Sequence, residues 1–214
     1  MEIKRTANAG VLLRLDGKSI LLDGVCGKVE PYLATPPEIR SNLLQNLPDA
    51  IAFTHTHEDH YDSLFVSDYL QNAAGPVMGP ADIPYSTQQL QRIGSVTVMP
   101  IDTRHVGKTD GREHRSYVIQ GSQCLWFLGD ASLLHWQKIE GMPRPDVIIA
   151  PYGFVIGKGW EYCKSLQPQT VVVLHLPNRE YDPYGLWQEL EKALAGQEGP
   201  TVMIPEMGQT IVLP

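Results

Sequence analysis

The sequence predicts a mixed α/β fold on three observations. Apolar runs of strand length recur at Asp49–Phe53, Leu125–Leu128, Asp146–Ala150 and Val171–Leu174. Segments of helical length separate the later runs. Strands dominate the early part of the chain and alternate with helices afterwards, and no repeat, low-complexity tract or linker interrupts that order.

Taken in order, Ala9–Leu15 and Ser19–Asp23 read as a hairpin, because Asp16-Gly17 between them is a strong short-range hairpin signal. Pro36-Pro37 opens a helix over Pro37–Gln45, and Asp49–Phe53 is a short buried strand. Asp62–Gln71 and Ile83–Arg92 are further helical segments, followed by a strand over Ser95–Ile101. Leu125–Leu128 is an apolar strand running into Gly129-Asp130, after which Ser132 caps a short helix through Lys138. Asp146–Ala150 is a strand, Lys158–Leu166 a helix, Val171–Leu174 a strand ending at His175, and Pro183–Ala195 a helix. Thr201–Ile204 and Thr210–Leu213 read as a terminal hairpin.

At 214 residues, 43% hydrophobic and 19% charged, the chain is long enough for one sizeable core, and a single domain over residues 1–214 is expected. A formal charge of -7 speaks against a broad nucleic-acid face. No apolar stretch approaches the ~20 residues that span a bilayer, so no membrane role and a cytoplasmic location are expected. Cys26, Cys124 and Cys163 are odd in number and widely spaced, which predicts reduced thiols and no disulfide framework.

The chemistry is concentrated in Thr54-His55-Thr56-His57-Glu58-Asp59-His60, directly after the Asp49–Phe53 strand. Loops at the carboxyl ends of strands are where α/β proteins build their sites. His55 and His57, two apart in extended backbone, point to one side and can share a cation, while Asp59 and His60 begin the turn beyond and reach a second. Imidazole and carboxylate donors suit zinc best, with manganese or iron as alternatives. A structural zinc site usually closes its shell with thiolates, so an all-His/Asp set predicts a catalytic site with a position open to water.

This motif resembles the His-x-His-x-Asp-His signature of the metallo-β-lactamase superfamily. Gly129-Asp130 at a strand end is similar to the family's segment carrying the carboxylate that bridges both metals, and His175 looks like its last ligand on the second. The third histidine of the first metal is then His105 or His114. His105 is preferred, since it follows the Ser95–Ile101 strand and precedes Asp130 at a separation similar to the family's, whereas His114 lies closer and reads as a substrate contact at the rim of the Val106–Arg115 loop. Asp23 stands where the family has an acidic residue that braces the metal loop. The fold implied is the family's αββα sandwich, two mixed sheets flanked by helices, and the layout looks most like the small-hydrolase branch related to ascorbate-phosphate lactonases.

What the resemblance implies is a binuclear metal-dependent hydrolase. Two divalent ions would be held by His55, His57 and His105, by Asp59, His60 and His175, and by Asp130 between them. A bridging hydroxide would be the nucleophile, with Asp59 orienting it and receiving its proton. Two dications less both aspartates and the hydroxide leave the centre about one unit positive, so an anionic small molecule can be attracted. A small ester, lactone or phosphodiester is the expected substrate, with His135 and Tyr152 as further contacts. Lys158 and Arg179 could meet an anion or be ordinary surface charges. The alternatives are a mononuclear iron sulfur dioxygenase and a non-catalytic metal-dependent binding protein.

Overall fold

The computed structural model of the chain describes residues 1–73, 75–107, 111–132 and 141–214. Period-two alternation in apolar strands sets its layering. In β2 (Val11–Leu15) and β3 (Lys18–Leu22), Val11, Leu13, Ile20 and Leu22 enter a core shared by two sheets, whereas Leu12 and Leu21 point the other way into a helical layer. β4 (Ala50–Ala52) repeats this with Ala50 and Ala52 inward and Ile51 outward. Strands covered on both faces are continuously apolar, which makes them legible in the sequence.

The first sheet adds β1 (Glu2–Arg5), β5 (Val77–Met78) and β13 (Thr210–Val212), in the order β13-β1-β2-β3-β4-β5. It is antiparallel from β13 to β3 and parallel from β3 to β5. The second sheet comprises β6 (Gln91–Ile93), β7 (Val96–Thr103), β8 (His114–Gln120), β9 (Cys124–Phe127), β10 (Val147–Pro151), β11 (Thr170–Leu174) and β12 (Thr201–Met203). Its order is β12-β11-β10-β9-β8-β7-β6, parallel as far as β9 and antiparallel beyond. Helices α1 (Pro37–Gln45) and α2 (Ser63–Asn72) cover the first sheet through Leu43, Phe65 and Tyr69. Helices α3 (Tyr152–Val155), α4 (Gly159–Leu166) and α5 (Leu186–Leu194) cover the second through Phe154, Trp160 and Trp187. Two mixed sheets flanked by helices form the expected αββα sandwich.

Local signals explain the agreement. Asp16 and Gly17 both adopt positive φ, 50° and 73°, as the tight hairpin requires. Asp62 caps α2 by accepting from the Leu64 and Phe65 amides at 2.8 and 2.9 Å. The three cysteines are buried and free. No helix among the described residues is long and apolar enough to cross a membrane.

Three expectations change. Ile83–Arg92 is not a helix: the Ser86 amide bonds Ile83 O in a turn, Tyr85 has a φ of 61°, the Thr87 amide joins the first sheet at Val77 O, and Gln91 already belongs to β6. The last two strands do not pair with each other. β12 lies parallel to β11 and β13 antiparallel to β1, so each completes a different sheet. The crossing between them is held by Arg5, which donates to Pro205 O at 3.1 Å, and by the Gly208 amide, which bonds Arg5 O. His114 is the first residue of β8 and not part of a rim loop. The helix expected from Ser132 to Lys138 lies, beyond Ser132, outside the described residues.

Candidate metal centre

The site sits along one edge of the sandwich, where β4, β7, β9 and β11 end and β8 begins. Main-chain bonds bring these ends together. The Arg115 amide donates to Thr54 O at 2.8 Å, tying β8 to the histidine loop. The Val106 amide bonds Asp130 O and the Ser132 amide bonds Arg104 O, a short ladder that sets His105 beside Asp130. The His175 amide reaches Asn8 O at 3.2 Å, and His175 holds a φ of 63°, a strained conformation for a non-glycine residue.

Three groups of donor atoms result, each with all its atoms within 4.8 Å: His55, His57 and His105; His55, His60 and Asp130; and Asp59, His60 and His175. Asp130 lies between the first and third of these. Its Oδ2 is 3.6 Å from His105 Nε2, 3.6 Å from His60 Nε2 and 3.4 Å from His175 Nε2.

Whether cations fit can be decided from the protons. Asp23 is fully buried and accepts from the Thr54 amide and hydroxyl, at 2.7 and 2.6 Å, and from His60 Nδ1 at 2.9 Å. The Thr54 hydroxyl proton is thus committed, so Thr54 Oγ1 accepts from His55 Nδ1 at 2.9 Å. His105 Nδ1 faces the Val106 carbonyl, which can only accept. In all three rings Nδ1 carries the proton and Nε2 is left as a lone pair directed into the cluster. Among the described residues, His55 Nε2, His105 Nε2 and Asp130 Oδ1 are buried without a hydrogen-bond partner, which is costly unless something else binds there. His60 Nε2 and His175 Nε2 are 3.1 Å apart, a separation that two lone pairs tolerate only with a proton or a cation between them. The donor set fits divalent metal.

Electrostatics agree. Burial lowers His55 far below the usual imidazole range, with His60 adding to the effect, so His55 stays neutral as a ligand must. Burial opposes charge on His60 and His175 as well, but Asp130 with Asp23 or Asp59 outweighs it and raises each to about 10. Burial likewise disfavours the Asp130 carboxylate, yet His175 and His60 hold it well below the usual carboxyl range. A positive charge between the Nε2 atoms of His60 and His175, a shared proton or a metal, is therefore favoured at neutral pH. A histidine raised from 6.5 to about 10 adds stability that is complete below 6.5 and lost as pH rises through 10. Metal-free protein should lose urea resistance across that window while metal-loaded protein does not. Zinc uptake at pH 7 should release protons, seen as titration enthalpies that vary with buffer ionisation; enthalpies independent of buffer would contradict the assignment.

Gly129 sets the approach of Asp130. Its φ is 55°, and a Cβ there would lie 2.5 Å from Thr54 Cγ2. Gly129→Ala should cost about 1–3 kcal/mol through backbone strain, and it should weaken metal retention because Thr54 orients both Asp23 and His55. Denaturant midpoints and chelator competition on the same variant measure both effects.

The other expected residues divide. His114 is only 3% exposed, its ring 5.2 Å from that of His55 and 5.7 Å from that of His105, and burial lowers its pKa to about 3, so it is a neutral buried imidazole and not a rim contact. His135 lies outside the described residues. Tyr152 and Lys158 line a cavity of about 400 Å³ that opens on Asp130 and His175. Arg179 is elsewhere, ion-paired with Glu191 at 2.9 Å and Glu206 at 3.3 Å and stacked on Trp187. Tyr32 was not anticipated. It lines the cavity and sets its ring edge-on to His175 at 4.6 Å. Burial, then Asp130 and Asp59, raises its pKa, so its hydroxyl stays a donor. It lies in an irregular loop with no periodic or motif signal.

Comparison with known proteins agrees with this geometry. A profile described as the beta-lactamase superfamily domain matches residues 2–175. No curated protein matches the sequence. Among solved structures, Igni18, a metallo hydrolase from Ignicoccus hospitalis, is similar over 98% of this chain and 97% of its own, with 19% identity and a TM-score of 0.70. An isothiocyanate hydrolase from Delia radicum gut bacteria covers 100% and 99%, at 18% identity and a TM-score of 0.69. CmlA, a diiron beta-hydroxylase from Streptomyces venezuelae, covers 99% of this chain and 54% of its own, at 15% identity and a TM-score of 0.65. With the fold, the order of the histidine and aspartate segments and the profile match in agreement, the chain belongs to the beta-lactamase superfamily and has the metallo-β-lactamase fold.

Proposed function

We infer that this protein is a binuclear metal-dependent hydrolase acting on a small ester, lactone or phosphodiester. The observation that carries the reading is the pair of donor triads, His55/His57/His105 and Asp59/His60/His175, with Asp130 Oδ2 within 3.6 Å of His105, His60 and His175, beside a cavity of about 400 Å³. Family membership supports metal-dependent hydrolysis in general, and the two triads favour a binuclear centre. His55, His57 and His105 would hold one cation, Asp59, His60 and His175 the other, with Asp130 between them. Bound divalent ions would lower the pKa of a water and polarise the substrate oxygen.

The chain's own groups do the rest. Asp59, whose Oδ2 is 3.3 Å from His175 Nε2, would orient the attacking water and take its proton. The Tyr32 hydroxyl can donate to oxygen charge developing in the cavity, and Tyr152 encloses the same space. Lys158 supplies a cation on the cavity wall that suits an anionic substrate group. Assay against bis(p-nitrophenyl) phosphate, lactones and thioesters, with and without chelator, tests the reading. Turnover abolished by chelator and restored by zinc or manganese is expected; chelator-insensitive turnover would sink it. The likeness to a diiron beta-hydroxylase and the His/carboxylate donors keep an iron oxidoreductase as the second reading, recognised by bound iron without hydrolysis.

A further inference from the structure

His114 has no part in the sequence motif, yet it has the features of a ligand. The Ser116 hydroxyl donates to Leu128 O at 2.8 Å, which commits its one proton. The contact of 3.1 Å between Ser116 Oγ and Thr103 Oγ1 must then use the Thr103 proton. Thr103 Oγ1 is left to accept from His114 Nδ1, 2.7 Å away. His114 Nε2 is therefore a lone pair, and it is buried without a partner among the described residues. A histidine that only filled the core would normally have both ring nitrogens satisfied. Here a relay of two hydroxyls fixes the tautomer and leaves the other nitrogen bare, as second-sphere bonds do for metal-ligating histidines.

Two placements give that nitrogen a destination. The His114 ring lies 5.2 Å from His55 and 5.7 Å from His105, beside a group whose own ring separations are 4.5 to 4.8 Å. The cavity is walled by Asp130 and, of the two triads, by His175 alone, so it meets the position of Asp59, His60 and His175 through that one ring and does not meet His55, His57 or His105. We propose that His114 gives a fourth imidazole nitrogen to the metal position of His55, His57 and His105, closing it, so that the position open to substrate is that of Asp59, His60 and His175. This rests on the metal-dependent reading above and divides the labour within it: a retained, nitrogen-rich cation on one side and an exchangeable, carboxylate-bearing one facing the cavity.

Long-range ¹H–¹⁵N spectra of the full chain labelled with ¹⁵N-histidine, titrated with zinc to two equivalents, test this without relying on activity. The expected result is that His114 Nε2 moves from a bare-nitrogen to a metal-bound shift together with His55, His57 and His105. If those three move and His114 keeps its bare-nitrogen shift, the proposal is wrong and the hydrolase reading survives. If no imidazole moves, the hydrolase reading fails and takes the proposal with it. Assignment by correlation to the backbone keeps the wild-type spectrum decisive whether or not variants fold. In chelator competition, His114→Ala and His114→Gln should lower affinity for the tighter zinc at least about tenfold. Unchanged affinity in folded variants would overturn the proposal.

Discussion

Replacing Asp130 by alanine is expected to lower turnover on the order of 10³-fold or more and to weaken both metal positions together. The reason is its double contact. Asp130 Oδ2 approaches His105 on one side and His60 and His175 on the other, all within 3.6 Å. Its negative charge is also the leading attraction that raises the pKa of His60 and His175 against their burial. Without it, two buried imidazoles 3.1 Å apart lose the anion between them and their cation. Asp130→Asn keeps the shape and one acceptor but not the charge, so it should retain more metal than alanine and still be strongly impaired. Metal content and turnover on both variants decide the matter. An alanine variant with two metals per chain and activity within tenfold of wild type would remove Asp130 from the centre.

The second large effect is expected far from the motif. Arg5 is 1% exposed, and its guanidinium donates to Ala7 O at 3.3 Å, Asn8 O at 3.3 Å, Leu176 O at 2.6 Å and Pro205 O at 3.1 Å. Burial lowers its pKa to about 10, so charge is retained at neutral pH even though none of those four partners is a carboxylate. One side chain thereby joins the start of the first sheet, the chain just beyond His175 and the crossing between β12 and β13. Arg5→Met leaves Ala7 O, Leu176 O and Pro205 O without the guanidinium donor, at about 1–3 kcal/mol each before relaxation, while Asn8 O keeps the His175 amide. A net loss of about 3–5 kcal/mol is expected, read from urea midpoints at constant slope. Because Asn8 O also accepts the His175 amide, metal affinity should fall as well. A loss below about 1 kcal/mol would mean that water replaces the guanidinium without strain.

How much of this was legible in the sequence depends on whether the determinant was local. His55, His57, Asp59 and His60 lie within one loop, so their clustering was legible from local sequence, and their proposed division between two cations rests on backbone periodicity. Asp130 and His175 were legible as strand-end residues whose order resembled the family's. The double burial of Val171–Leu174 and Asp146–Ala150 made their strands continuous apolar runs. Edge elements carried no such signal: Gln91–Ile93 is polar and short, and its pairing with β7 is decided by tertiary context. Tyr32 and Thr54 act through partners distant in sequence, Thr54 through Asp23 and Tyr32 through His175. His114 was visible as a candidate, but its burial was not, because β8 begins at His114 only once Arg115 bonds Thr54 across the two sheets. The terminal strands read as a hairpin because each is a short apolar run, while their true partners, β11 and β1, could be found only in three dimensions.

The central claim is that two cations occupy the paired triads, and a metal count on purified protein tests it most directly. Elemental mass spectrometry should find close to two zinc or manganese ions per chain in the wild type. Each of His105→Ala and His175→Ala should lower that number by depleting a different position. A wild type that holds a single iron, or variants that keep the full complement, would contradict the account.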